Sequence, residues 1–241
     1  MRRTRIYHAD EININVEITL DANAAQHVRD VLRMQVGNAI ILFNGDGCDY
    51  LGTIVRVSKK NVSVMLHASE KRSTVSPLHL HLAQGICRGE KMDFVVQKAT
   101  ELGVNEITPL ISEYCNVKLS EERLQKKVAH WRKVVVNACE QCGRTDLLTL
   151  NPVMQINQWL QRDLLGTGYI LDPGATYGII KKNNVSKLTL LIGPEGGFTN
   201  SEIQYAVDRG FYHCLLGPRV LRSETASLAA VSMLQHLYGD F

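Results

Sequence analysis

No apolar run in this chain of 241 residues approaches the roughly 18 that a bilayer-spanning helix needs, so a membrane span is not expected. The basic start, Met1 to His8, has no apolar stretch behind it and does not read as a secretory signal. A strong excess of one charge is also missing. The net charge of +3 is too mild to announce nucleic-acid binding by itself, although it leaves room for a local basic face. Paired metal or disulfide spacings are missing too. The six cysteines are scattered, and Cys139-Glu140-Gln141-Cys142 stands without a second pair or a nearby histidine pair. That pattern points away from zinc and towards reduced thiols in a cytoplasmic protein.

The best-known catalytic signatures are absent as well. There is no G-x-x-x-x-G-K-[ST] phosphate loop, and no G-x-G-x-x-G after a strand for a dinucleotide. The lack of G-x-S-x-G argues against a serine hydrolase, and H-E-x-x-H does not occur.

What is present is an ordinary globular composition, 45% hydrophobic and 21% charged. The length suits one large domain or two smaller ones. The first 70 residues read as a meander of short strands, with Asn38 to Phe43 running into the turn Asn44-Gly45-Asp46-Gly47. Asp49 to Val57 and Val62 to Leu66 follow as strands, a pattern compatible with a small barrel. One helix is predicted over Asp21 to Leu32, with Ala25, Val28 and Leu32 on one face. His67 to Pro77 is polar and ends in Ser-Pro, as a linker does.

Beyond Pro77 strands alternate with helices. Strands are predicted at Leu78–Ala83, Asn105–Ile111, Gly168–Leu171, Leu188–Ile192 and Phe211–Leu216. Helices are predicted from Gly89 to Leu102 with Gly103 as its cap, from Ser120 to Cys139, from the capping box Thr199–Glu202 to Gly210, and from Ser223 to Tyr238. Alternation of this kind implies a largely parallel sheet, whose ligands sit at the carboxyl ends of strands. Leu171-Asp172-Pro173, Gly193 to Gly197 and Leu216 to Leu221 all fall at such ends. Two of these loops turn at Gly-Pro. With little side-chain bulk, the three suit a flat, mostly neutral ligand, such as an adenosine, held through backbone groups.

IGPEGGF followed by TNSEI, then LGPRVLRSETA, carry a resemblance. So do Arg88–Asp93 with Lys98–Val104, Ala138–Arg144, Arg5-Ile6-Tyr7 and His27–Met34. Over nearly its whole length the chain resembles the bacterial 16S rRNA (uracil-N3)-methyltransferases of the SPOUT superfamily. The pairing of GPEGG with LGPRVLR-x-ETA is the specific part; either alone would be suggestive only.

The resemblance implies an α/β fold with a mostly parallel sheet and a C-terminal trefoil knot, which pattern alone would never suggest. It implies a PUA-like RNA-binding β-barrel over residues 1–70, a linker over 71–77 and a SPOUT methyltransferase domain over 78–241. It further implies a homodimer and a uridine in the decoding region of 16S rRNA as substrate, in free RNA or in the assembled small subunit. S-adenosylmethionine would be the cofactor, without a metal, because the sulfonium is already positive. Its contacts would be Leu171, Asp172, Pro173, Ile192, Gly193, Glu195, Gly196, Gly197, Leu216, Gly217, Pro218, Val220 and Leu221. Asp172 is trusted only for its backbone, and Leu216 and Leu221 serve equally well as core.

Uracil N3 carries a proton and attacks only as that proton leaves, so a cation near the uracil oxygens would stabilise the developing anion. Arg222 is the candidate; its alternatives are an RNA phosphate or pairing with Glu224. Glu195 would orient or deprotonate, or merely cap its own turn. Glu224 would do the same, or serve as a first-turn carboxylate favoured by the helix dipole. Candidates for RNA contact are Arg2, Arg3, Arg5, Arg29, Arg33, Arg88 and Lys91, with Arg29 and Arg33 one helical turn apart. Two other readings remain: a methyltransferase for tRNA or a ribose 2′-hydroxyl, and a non-catalytic RNA-binding protein that has kept the fold.

Overall fold

A computed structural model describes residues 4–115 and 120–241. The chain divides into two compact units. One runs up to Val75 and takes in Cys139–Leu147; the other comprises Ser76–Ala138 and Leu148–Phe241.

The first unit is built on β1 (Thr4–Tyr7), β2 (Glu17–Thr19), α1 (Ala22–Gln26), β3 (Ala39–Phe43), β4 (Cys48–Val57) and β5 (Val62–Lys71). They form one sheet in the order β1-β3-β4-β5-β2, antiparallel except where β1 runs beside β3. Alternating side chains of β3, β4 and β5 bury Ile40, Leu42, Ile54, Val62, Val64 and Leu66 against Ile6, Leu20, Ala25 and Val28. Each such branched side chain contributes about 1.5–3 kcal/mol.

Three expectations change here. The helix foreseen over Asp21 to Leu32 is cut short: Asp21 caps it through Asn23 N and Ala24 N at 2.8 and 3.0 Å, but α1 stops at Gln26. His27–Val31 then widens into a π-helical turn, with Leu32 N bonded to His27 O. Leu32 is left outside the core and Arg33 adopts φ +52°, so Arg29 and Arg33 share no helical face. The foreseen linker is partly strand, because β5 pairs with β4 as far as Lys71. Cys139–Leu147, foreseen in the methyltransferase domain, belongs instead with the first unit. Glu140 accepts from Tyr7 N at 2.9 Å, Arg144 O accepts from Arg5 at 2.8 Å, and Thr145 Oγ1 donates to Arg72 O at 2.6 Å.

The second unit continues with β6 (His79–Gly85), α2 (Lys91–Glu101), β7 (Glu106–Ile111), α3 (Glu121–Cys142, its last turn in the first unit), β8 (Thr149–Leu150), β9 (Met154–Gln155) and α4 (Ile156–Trp159). Then come β10 (Thr167–Leu171), β11 (Lys187–Ile192), α5 (Asn200–Asp208), β12 (Phe211–Cys214) and α6 (Ser223–Tyr238). The sheet runs β12-β10-β11-β6-β7-β8, with β9 also beside β7, and every ladder is parallel. This is the expected mostly parallel α/β sheet. The near-continuous buried runs of β10 and β11 suit strands covered on both faces. The foreseen capping box is present: Thr199 Oγ1 accepts from Glu202 N, and the Glu202 carboxylate accepts from Thr199 N at 2.8 Å. The pairs β8 and β9 are two residues long, too short to leave a period in the sequence. Among the described residues no helix is long and apolar enough to cross a membrane.

The order matters for the site. β7 lies to one side of β6, whereas β11, β10 and β12 follow on the other. Connections that diverge in this way leave a crevice at the carboxyl ends of the strands.

Candidate functional site

A cavity of about 540 Å³ opens at the carboxyl ends of β10, β11 and β12. Its volume lies within the range of small-molecule sites, roughly 300–1,000 Å³. Three loops wall it: Leu171 to Pro173, Ile192 to Phe198, and Leu216 to Arg222, with Ser223 and Ala226 from α6 and Lys91 from α2. Of the thirteen residues expected around the cofactor, Pro218 alone is missing from this wall. Gly197 and Gly217, each at φ +70°, let the two Gly-Pro loops turn away from their strands.

A close approach that sequence reasoning missed holds the middle loop. A Cβ on Gly85, the last residue of β6, would lie 2.4 Å from both Cδ and N of Pro194. The Gly193-Pro194 backbone therefore lies directly on β6, and Gly197 N closes the turn onto Pro194 O at 2.9 Å. Asp172 spends its side chain locally. Its Oδ2 accepts from Gly174 N at 2.9 Å and lies 2.9 Å from Nε2 of His213, while its backbone N donates to Cys214 O at 2.9 Å and its carbonyl accepts from Ala175 N at 3.2 Å.

The charged wall is more specific. Glu195 Oε1 accepts from Arg88 N and from Lys91 Nζ, both at 3.1 Å. Lys91 Nζ also lies 3.6 Å from Glu224 Oε2, a buried atom with no hydrogen bond among the described residues. Lys91 was foreseen as an RNA contact; the structure makes it the shared cation of two carboxylates. Burial works against the Glu195 charge, but the hydrogen bonds from backbone amides and Lys91 prevail and hold its carboxyl below the usual glutamate range. In turn the hydrogen bond it donates to Glu195 holds the Lys91 ammonium above its ordinary value. A depressed carboxyl contributes stability above its unfolded pKa and loses it as pH falls through the folded one. Replacing Lys91 with Met should therefore raise the Glu195 titration midpoint. An NMR titration of the Glu195 side-chain carboxyl checks this, and an unmoved midpoint would show that Lys91 does not hold it.

Arg222 stands at the N-cap of α6 with its side chain exposed, on the cavity wall. Among the described residues its guanidinium makes no hydrogen bond or ion pair, so it does not pair with Glu224. Arg219 lines the same rim and is exposed. Glu224 sits in the first turn of α6.

The other basic candidates lie in different settings. Arg5 is buried in the first unit: Asp49 holds its guanidinium at 2.5 Å, and the group stacks 4.5 Å from the Phe43 ring centre. Its charge is spent internally, which corrects its assignment as an RNA contact. Arg29 binds Asp30 and the carbonyl of Lys59. Arg33 and Arg88 are exposed, and Arg2 and Arg3 fall outside the described residues.

A family model described as an RNA methyltransferase domain matches residues 74–235, and one described as an RNA methyltransferase PUA domain matches residues 20–65. The ribosomal RNA small subunit methyltransferase E of Buchnera aphidicola subsp. Schizaphis graminum is 36% identical, across 99% of this chain and 98% of its own. The Bacillus subtilis protein of that name is 30% identical, across 90% and 89%. Among solved structures, ribosomal RNA small subunit methyltransferase E of Neisseria gonorrhoeae, bound to S-adenosyl methionine, is 33% identical with a TM-score of 0.91 over 100% of both chains. A Legionella pneumophila protein in complex with the bound cofactor SAM is 40% identical with a TM-score of 0.96, again over 100% of both. With end-to-end relatives of one name and a domain model spanning the whole cavity, this chain belongs to the ribosomal RNA small subunit methyltransferase E family.

Proposed function

We propose that this protein transfers a methyl group from S-adenosylmethionine to N3 of a uridine in the decoding region of 16S rRNA. The observation that carries the proposal is the union of a backbone-lined cavity at three strand ends with an unpaired arginine on its wall. The cavity fits the cofactor in chemistry as well as size. Leu171, Ile192, Leu216 and Leu221 offer apolar surface for an adenine, and the glycine loops expose main-chain groups for its polar edges. When bound, the cofactor supplies an electrophilic methyl on a sulfonium.

The remaining work falls to the chain's own residues. Arg222 donates to the uracil oxygens as negative charge develops on the ring. Glu195, already ionised and held by Lys91, is a weak base and acts by fixing the mouth of the loop. Glu224 is its counterpart on α6, across the same ammonium. Rigid loops on a parallel sheet keep the reacting atoms aligned, and positioning of that kind supplies roughly 7–11 kcal/mol in favourable cases. Arg88, Arg33 and Arg219 are the exposed cations suited to RNA phosphates, without base specificity.

Three further parts of the reading rest on the same family. A knotted path is supported by the course of the chain after β12. Leu215 pairs with Gly178 in the segment between β10 and β11, and the chain then returns so that Ser223 meets Gly193 at the end of β11. A homodimer is supported by the exposed apolar side chains Tyr177, Ile180 and Val220. A cytoplasmic location is supported by an rRNA substrate, free or in the assembled small subunit.

Two measurements test the function. Calorimetric titration should show S-adenosylmethionine binding, and silence at millimolar ligand would remove the cofactor assignment. Mass mapping of 16S rRNA nucleosides from a deletion strain should show 3-methyluridine lost, then restored by this chain. An unchanged level would remove the substrate.

A further inference from the structure

Gln84 carries a polar side chain that is fully buried, yet it lies outside the cavity wall and takes no part in the chemistry above. It stands next to last in β6. Its Nε2 lies 3.0 Å from Ser223 Oγ and 2.9 Å from Gly85 O, and its Oε1 lies 2.5 Å from Ser227 Oγ. Ser223 Oγ in turn donates to Gly193 O at 2.5 Å. The proton positions follow from valence. A carbonyl oxygen only accepts, so the single hydroxyl proton of Ser223 goes to Gly193 O. Ser223 Oγ therefore faces Gln84 as an acceptor, and the amide nitrogen must be on that side. Gly85 O makes the same demand, so both Nε2 protons are used and Oε1 is left for Ser227. Ser227 Oγ also lies 2.8 Å from Ser223 O, and Cys87 Sγ 3.3 Å from Ser223 Oγ, but the orientation of the Gln84 amide is fixed by Gly85 O and Ser223, and both of its ends have partners.

The two ends of the circuit are the two working parts of the site. Gly193 opens the middle loop of the cavity, and Ser223 directly follows Arg222. We propose that Gln84 is a positioning residue which, through Ser223, sets the cofactor loop and Arg222 in a single geometry. The proposal rests on the reading that this cavity binds S-adenosylmethionine.

Gln84→Glu provides the test because it keeps the shape and changes only the donors. As a carboxylate it can only accept: Gly85 O and Ser223 lose their donor, and the Ser223 proton is drawn away from Gly193 O. As a neutral acid it regains one donor. Burial disfavours the charged form and raises the pKa of such a carboxyl, so the donor returns as pH falls. The titratable groups facing this circuit are Cys87 beyond β6, Glu195 on the middle loop, Glu224 on α6 and Lys91 on α2. Burial pushes the Cys87 thiol up to about 11, so it stays neutral through the range. Gln84→Met retains all four, so the ratio of the two variants at each pH isolates the introduced carboxyl.

The expected result is S-adenosylmethionine affinity about tenfold weaker in Gln84→Glu at about pH 9, recovering towards wild type at about pH 6, with Gln84→Met about tenfold weaker throughout. Amide hydrogen exchange at Gly196 and Gly197, measured without ligand and relative to wild type, should follow the same pH course. Ser223→Ala should weaken affinity about tenfold with no pH dependence, and it carries the test if Gln84→Glu does not fold. Wild-type binding tests the cofactor reading separately from these ratios. A Gln84→Glu protein that matches wild type at every pH, or Gln84→Met at every pH, overturns the proposal. Unchanged affinity and exchange in Ser223→Ala overturn it equally.

Discussion

Replacing Arg222 with alanine is expected to lower methyl transfer by about 100- to 1,000-fold, the cost of removing one donor aimed at a developing anion. Affinity for S-adenosylmethionine should stay within about threefold of wild type. The separation follows from the surroundings of the side chain. Arg222 is exposed at the start of α6 and holds no partner among the described residues, so its removal strands no buried charge and opens no core cavity. The melting temperature should not move. Single-turnover kinetics with saturating cofactor, set beside calorimetry, measures both quantities. Loss of affinity to the same degree as loss of turnover would assign Arg222 to the cavity wall rather than to the reaction.

The second large effect is expected at Gly85, where alanine should both destabilise the protein and cripple cofactor binding. The added carbon would lie 2.4 Å from Pro194 Cδ and N and 2.9 Å from the carbonyl carbon of Gly193. Neither side can yield easily. Pro194 is a rigid ring inside a closed turn, and β6 is pinned between β11 and β7. Overpacking of this kind costs about 1–3 kcal/mol. For a chain of this size that lowers the melting temperature by about 2–4 °C per kcal/mol. Of the two, the loop yields before the doubly paired strand, so it lifts from β6, and affinity for S-adenosylmethionine should fall by about tenfold or more. Calorimetry and thermal unfolding read the two effects, and wild-type values in both would mean that the loop has room the contact denies.

These effects differ in how far the sequence foretold them. The place of Arg222 on the cavity wall was readable, because it follows a Gly-Pro turn at the end of an apolar strand. Gly85 was not: nothing near it marks a turn, and its importance depends on a proline 109 positions further along the chain (194 − 85). The same divide runs through the molecule. The capping box Thr199–Glu202 and the boundaries of the apolar strands could be read because each signal is complete within one or two turns of chain. The helix after Asp21 was misjudged because its cap is local, whereas its early end at a π-helical turn is not. Arg5 was misjudged because a basic residue near the start of a chain looks solvated until Asp49 and Arg144 are brought to it.

The sequence by itself determined the strand-helix alternation, the parallel sheet and the three loops of low bulk, and its motifs pointed to the family. Only the tertiary structure decided that Lys91 serves two carboxylates, that Cys139–Leu147 belongs with the first unit, and that Gln84 and Ser223 tie α6 to the Gly193 loop. Periodicity and turn chemistry report on neighbours in the chain. Contacts such as Gln84 to Ser223, 139 positions apart, exist only once the parallel strands have been ordered and the loops between them closed.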